Sequence, residues 1–396
     1  MGAPGRFLFA MLKRTIHPTK RPLAHLLAVC ALAIGLGSLA ASAASPDATA
    51  RVLAGLSPDP ATRAYPREVA NAWAQYESRY GIPMRKWACG ELGGANGGTV
   101  FYPFSGPDLP TVFHLFPEAD RFVLVSIQKA EAPPPLETLS PEELGIYLAT
   151  VRKAWTFFGN SGFFKSDDLD AVEKVQGYGL GVTGPLMAFA VRLGFELEAI
   201  DPIELNHDRN EVALRSPYGE KAWDSVRLGL RKGSRQVAVD YVRMDLSDAW
   251  LVQVAGDRRW LDRMARNPTL VKAASHHLQE PDFAILRDTV LKNATVIVQD
   301  ETGLEYGALA DALNVRLYGK FTRPHHSFDQ GFQRELVVAY SKSPAKPLPF
   351  RFGYEKAAGS AMQVAVRDPA ASPLPGKCAE RAPEKRPAGV RGRRAG

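Results

Sequence analysis

Cysteine is scarce in this chain: Cys30, Cys89 and Cys378 are the only three among 396 residues. No two lie close enough for a CxxC motif, so a zinc ribbon, a redox dithiol and a small disulfide-built scaffold are excluded. No internal repeat is visible, and no linker divides the body. After residue 43 no apolar run is long enough to suggest a membrane span. The glycine-rich string 177–184, GYGLGVTG, lacks an apolar strand in front of it, because AVEKVQ is polar. A dinucleotide loop needs that strand so that backbone amides face a pyrophosphate. The string therefore reads as a turning loop between helices, and no cofactor is assigned.

The chain also lacks the basic body that its net charge of +7 suggests. Arg6, Lys13, Arg14, Lys20 and Arg21 give the N-terminal segment +5, and residues 381–396 give another +5, so the body between carries −3. A partner of nucleic-acid type is not implied. The first segment continues into an apolar run at 26–39 and then Ala41-Ser42-Ala43. That order is the layout of a secretory signal peptide. Export to the periplasm or beyond is expected, with cleavage after Ala43 and no stable transmembrane segment afterwards. Removal of Cys30 would leave Cys89 and Cys378, which an oxidising compartment permits to pair.

What is present is an α/β pattern. The stretch 99–128 holds two apolar, β-rich runs, with Val100, Phe101, Tyr102 and Phe104 in the first. Both read as strands buried on two faces. Ser105-Gly106-Pro107-Asp108 is a turn, Asp108 can cap a helix from Leu109, and Pro117 ends it. The connection is long enough for a parallel crossover. Ser140-Pro141-Glu142-Glu143 is a capping box opening an amphipathic helix through Leu144, Leu148, Val151, Trp155 and Phe158. Residues 225–242 alternate about Lys232-Gly233-Ser234 as a hairpin, with Arg227 and Asp240 expected on a wet face. A helix is expected from Arg67 to Tyr80, ended by Gly81 and Pro83, and another opening at Asn267-Pro268. The whole reads as a three-layer α/β fold with a mixed, mostly parallel sheet. Its parts are a signal peptide at 1–43, an extended lead-in at 44–66, one domain at 67–368 and a disordered basic tail at 369–396.

The candidate site residues follow from this pattern. Buried TVIVQ, 295–299, delivers Asp300 and Glu301 at its end, where open α/β sheets collect ligands. If the strands at 101–104 and 295–299 are parallel, Ser105 and Asp108 share that edge. Arg316 and Tyr318 share one face of the next strand and are placed near the acids, with His325 in the loop that follows. Ser105 lacks the flanking glycines of a nucleophile elbow. Asp108 and His114 cannot pair through one helix, being about 240° apart around its axis. No metal is assigned: adjacent residues of His276-His277 and His325-His326 do not easily share an ion, and His276 with Glu280 at helical spacing is half a site.

The strings YPFSGPD (102–108), QDETG (299–303) and NVRLYGKF (314–321) together resemble an uncharacterised family of exported bacterial proteins. The resemblance implies an envelope location and an α/β domain, and brings no activity. A non-enzymatic domain binding a small molecule or an envelope protein is the leading expectation. The alternative is a hydrolase or transferase using the acids of the sheet edge.

Overall fold

The computed structural model describes residues 45–57, 64–93, 97–162, 181–219, 222–272, 274–324, 333–354 and 360–368. The stretches expected to be a signal peptide and a basic tail, with His325, Cys378 and the start of the glycine string, lie outside them. Strands in chain order are β1 (Thr99–Pro103), β2 (Arg121–Ser126), β3 (Glu196–Asn206), β4 (Glu211–Leu214), β5 (Ser225–Lys232), β6 (Arg235–Arg243), β7 (Thr269–Val271), β8 (Val296–Gln299), β9 (Asn314–Gly319) and β10 (Ala361–Val366). They form one ten-stranded sheet in the order β4-β3-β5-β6-β2-β1-β7-β8-β10-β9.

The centre, from β6 through β2, β1 and β7 to β8, is parallel, and both flanks are antiparallel. Side chains alternate between the faces, as the period of two requires. Val100, Tyr102, Phe122, Leu124 and Val298 look into a layer built by the helices Ala64–Tyr76, Leu109–Leu115, Pro141–Ser161 and Thr183–Arg192. Phe101, Val123, Val125 and Ile297 look into the opposite layer, made by Ala255–Met264, Ala284–Asn293 and Tyr306–Ala312. This is the three-layer α/β architecture with a mixed sheet. Among the described residues no helix is long and apolar enough to cross a membrane.

Local signals hold where their chemistry is complete. Asp108 accepts from the Thr111 amide at the start of Leu109–Leu115, and both halves of the Ser140/Glu143 capping box form. The helix they open runs to Ser161 and ends on Gly162 at φ +75, a left-handed position that favours glycine.

Four expectations are corrected. The stretch 44–66 contains the helix Pro46–Leu53, capped by Ser45. Tyr65 and Trp155 donate to the Leu53 carbonyl and Arg192 to that of Ala54, so the lead-in is docked by side chains far away in sequence. Gly81 and Pro83 do not stop the second helix. A π turn, Glu77–Gly81, joins Ala64–Tyr76 to Ile82–Glu91. Its wider winding makes room for the proline ring, which in a regular α-helix would meet the carbonyl four residues back. Pro268 precedes β7 and not a helix, since Thr269–Val271 fills a slot between two buried strands. Asp240 is fully buried and not on a wet face, because the guanidinium groups of Arg121 and Arg227 close over its carboxylate.

Candidate functional site

The connection leaving β1 passes through the helix Leu109–Leu115 on one face of the sheet. The connections entering and leaving β7 run through Ala255–Met264 and Ala284–Asn293 on the other. Adjacent parallel strands whose connections depart to opposite faces define a topological switch point, where the ends of the strands part to leave a crevice. Three strand ends meet there. β1 delivers Ser105 and Asp108, β7 delivers Lys272, and β8 delivers Asp300 and Glu301.

Lys272 and Asp108 form a buried ion pair, Nζ to Oδ2 at 2.8 Å, with side chains only 4% and 7% exposed. The ammonium also donates to Thr111 Oγ1 at 3.3 Å and to the Gly162 carbonyl at 3.4 Å, so it ties together β7, the first-layer helix after β1 and the end of Pro141–Ser161. The Tyr102 hydroxyl donates to the same carboxylate at 3.1 Å. Burial and the neighbouring Asp108 and Asp300 charges keep that phenol protonated, well above its ordinary range.

The turn before Asp108 is wound tightly. Phe104 adopts φ +58 and Gly106 φ +51. A phenylalanine in the left-handed region costs of order 1–3 kcal/mol. Here it turns the ring onto His277 and Phe283, with centroids 5.7 and 5.8 Å away. Ser105 is buried, and both its amide and its hydroxyl donate to the Val125 carbonyl.

The QDETG string is a closed loop. Gln299 grips Leu304 from both ends of its amide, accepting from the backbone N–H at 3.0 Å and donating to the carbonyl at 2.9 Å. Asp300 Oδ1 accepts from the Thr302 amide at 2.9 Å and from its hydroxyl at 2.6 Å. Gln279 and Gln333 donate to the carbonyl of Glu301. Gly353 passes so close that a Cβ there would lie 2.6 Å from Asp300 Oδ2, which only glycine permits. The Tyr354 phenol beside this loop is pushed up to about 12, by burial first and then by Asp300 and Glu301.

The structure therefore brings Ser105, Asp108, Asp300 and Glu301 to one edge, as the parallel arrangement requires. Arg316 is not with them. It lies level with Val298 through β10, one step short of the edge, and its guanidinium meets Glu91 instead. Tyr318 and Lys346 bond the same Glu91 carboxylate, at 2.6 and 2.8 Å. Burial would raise the pKa of that carboxyl, but Lys346, Tyr318 and Arg316 bring it below its ordinary value. Arg316 and Tyr318 do share a face, and the acid they serve is the last residue of Ile82–Glu91.

Sequence reasoning missed Lys272, the central cation of the edge. Its one signal was a lone lysine directly after the buried run Thr269-Leu270-Val271, and reading that run as a helix hid it. A second missed group is built on the π turn. Glu77 accepts from His114 at 2.9 Å and from Arg85 at 2.7 Å, and fully buried His114 stacks on Tyr76 at 5.8 Å. Gly81 makes the approach possible, because a Cβ there would lie 2.7 Å from His114 Nε2.

Burial holds His114 below its ordinary pKa against the pull of Glu77. Burial alone would raise Glu77, but His114 and Arg85 bring it down to about 2. In acid both groups bind fewer protons folded than unfolded, so both make stability fall as pH falls. The His114 contribution fades as pH drops below the unfolded value near 6.5. That of Glu77 fades between about 4.5 and 2. We expect melting temperature to drop on acidification from pH 7 to pH 5, with a slope of at most about 1.4 kcal/mol per pH unit for the one proton. His114→Gln should flatten this interval, and an unchanged slope in that variant would exclude His114 as the titrating group.

The class defined by fold and edge is a mixed three-layer α/β protein with a polar switch point. No family model matches the chain, and searches of curated proteins and of solved structures give no match either.

Proposed function

We propose that this chain is an exported, non-enzymatic binding protein of the periplasm or extracellular space, with its ligand contacts at the carboxyl edge around β1, β7 and β8. The observation that carries this reading is the convergence of Asp108, Lys272 and Asp300 at the switch point, where α/β sheets take ligands. Binding is favoured over hydrolysis or group transfer by how these groups are already used. Ser105 donates to a carbonyl, Lys272 is tied to three oxygens and Asp300 closes its own turn. A nucleophile or general base must instead present a lone pair to substrate. The ligand is a small molecule or an envelope protein.

A thermal-shift screen of small polar metabolites on the wild type and on Asp300→Asn tests the reading. Asparagine still accepts from Thr302, so the variant should keep its melting temperature to within about 1 kcal/mol of stability while losing the ligand-induced shift. Collapse of stability with the shift retained would make the edge purely structural. Turnover of ester or phosphodiester substrates that the variant abolishes would replace binding with the hydrolase reading. Export predicts a mature chain starting at Ala44 or a near neighbour. Pairing of Cys89 with Cys378 predicts no maleimide-reactive thiol in the unreduced, denatured protein.

A further inference from the structure

Immediately beyond Lys272 the chain winds as a 3₁₀ helix, Ala274–Gln279, and the Glu280 amide closes one more turn on the His277 carbonyl at 2.9 Å. At three residues per turn, positions i and i+3 lie one above the other. An α-helical reading of the same residues spaces them at 3.6 per turn, which paired His276 with Glu280 and left the set incomplete. The 3₁₀ winding places His277 over Glu280, Nδ1 to Oε2 at 3.2 Å, and brings His276 alongside with ring centroids 4.2 Å apart. One donor atom from each of His276, His277 and Glu280 lies within 4.8 Å of the other two.

We propose that His276, His277 and Glu280 form a site for a divalent transition-metal ion of the zinc type. Metal–nitrogen and metal–oxygen bonds of about 2.0–2.2 Å separate tetrahedral ligand atoms by roughly 3.3–3.6 Å, so small side-chain rotations complete the set. Two imidazoles and one carboxylate suit zinc, copper, nickel or iron, whereas calcium and magnesium prefer oxygen ligands throughout.

The scaffold is firm where a metal site needs it. Phe104 and Phe283 pack on the His277 ring, at 5.7 and 5.1 Å. Arg287 donates to the carbonyls of Leu278 and Glu280, and the Gln279 amide donates to those of Thr302 and Gly303. Such outer contacts fix ligand orientation before the ion arrives.

His277 and Glu280 are 39% and 47% exposed, so solvent reaches the ion directly. Three protein ligands leave at least one coordination position open, the pattern of a reactive or ligand-accepting zinc and not of a closed structural one. One carboxylate leaves a divalent ion with net positive charge, so the open position favours an anion. Location gives this a role: the segment follows β7 at the switch point, and Phe104 links it to the Ser105 turn. The metal would then be the ligand of the proposed binding edge, or the anchor for an anionic one. Metal uptake itself does not depend on that reading.

The test uses an untagged chain of residues 44–396, stripped with chelator and titrated with zinc chloride at pH 7.5 against a chromophoric zinc indicator. One equivalent should bind, and excess magnesium or calcium should not compete. His276→Ala, His277→Ala and Glu280→Gln should each weaken binding at least about 10-fold. His207→Ala, at a histidine bonded to Asp257, should leave it unchanged. Circular dichroism of the metal-free variants checks folding, and exposed Glu280→Gln provides a readout if a histidine variant fails to fold. Absence of saturable uptake by the wild type overturns the proposal, as does uptake unchanged by all three substitutions. Either result leaves the Asp300 test of ligand binding standing.

Discussion

Replacing Lys272 with methionine is expected to destabilise the protein by about 3–5 kcal/mol, the usual cost of removing one partner from a buried ion pair. Methionine fills the stem but leaves Asp108 with no cation on it, at 5% exposure. The Tyr102 hydroxyl and the Thr111 amide still donate to the carboxylate, which keeps the loss inside this range. The Gly162 carbonyl and the Thr111 hydroxyl lose their donor as well, so the contact between the first-layer helices and β7 weakens together with the pair. Asp108→Asn on top of Lys272→Met should recover part of the stability, because it removes the stranded charge and keeps an acceptor for Thr111. Urea midpoints of the two variants measure this. A single variant within about 1 kcal/mol of wild type would show that the pair is not what holds the switch point closed.

Asp240→Asn should have the next largest effect, about 2–4 kcal/mol. Arg121 and Arg227 both grip this carboxylate: Nε of Arg121 at 2.7 Å, Nε of Arg227 at 2.5 Å and Nη2 of Arg227 at 2.9 Å. The acid is entirely buried, while the two arginines are 29% and 28% exposed and can rehydrate in part. That asymmetry places the cost below the one for Lys272. Asparagine is nearly isosteric, so the loss reports charge and not volume. It should change little between low salt and 0.5 M sodium chloride, because buried pairs are poorly screened. A loss that disappears in salt would mean that the pair behaves as a surface contact.

Those two carboxylates also mark how far the sequence alone could be read. Asp108 was legible as a cap because capping is local: an acid after Ser-Gly-Pro and before an apolar turn has one common use. The Pro141–Ser161 helix and the β5–β6 hairpin were legible for the same reason, each carrying its own start, period and stop. Asp240 was misplaced because alternation says which residues share a face and is silent on what covers it. β7 escaped because a strand of three residues has too few positions to express a period, and β10 because all six of its residues are buried, which leaves no alternation to read. At the site, the shared edge followed from parallel strands, while Lys272 and the pairing of Arg316 with Glu91 depended on contacts between distant segments. His276, His277 and Glu280 were visible as residue types, and only the helix type, 3₁₀ in place of α, decides that they meet.

The position of β10 has a bearing on when the protein can finish folding. β8 and β9 follow one another closely in the chain, yet they do not pair; residues 361–366 enter between them and bond both. A growing chain that has reached residue 319 therefore holds β9 with no neighbour in the sheet, and β8 with one side of its hydrogen-bonding groups unmet. Open strand edges of this kind stay pliant and invite foreign pairing. The register of this flank is settled only once residues 361–366 have been made, and contacts of such long sequence separation form slowly. Until residues 361–366 have been made, neither β8 nor β9 can complete its hydrogen bonding, and this flank of the sheet stays open.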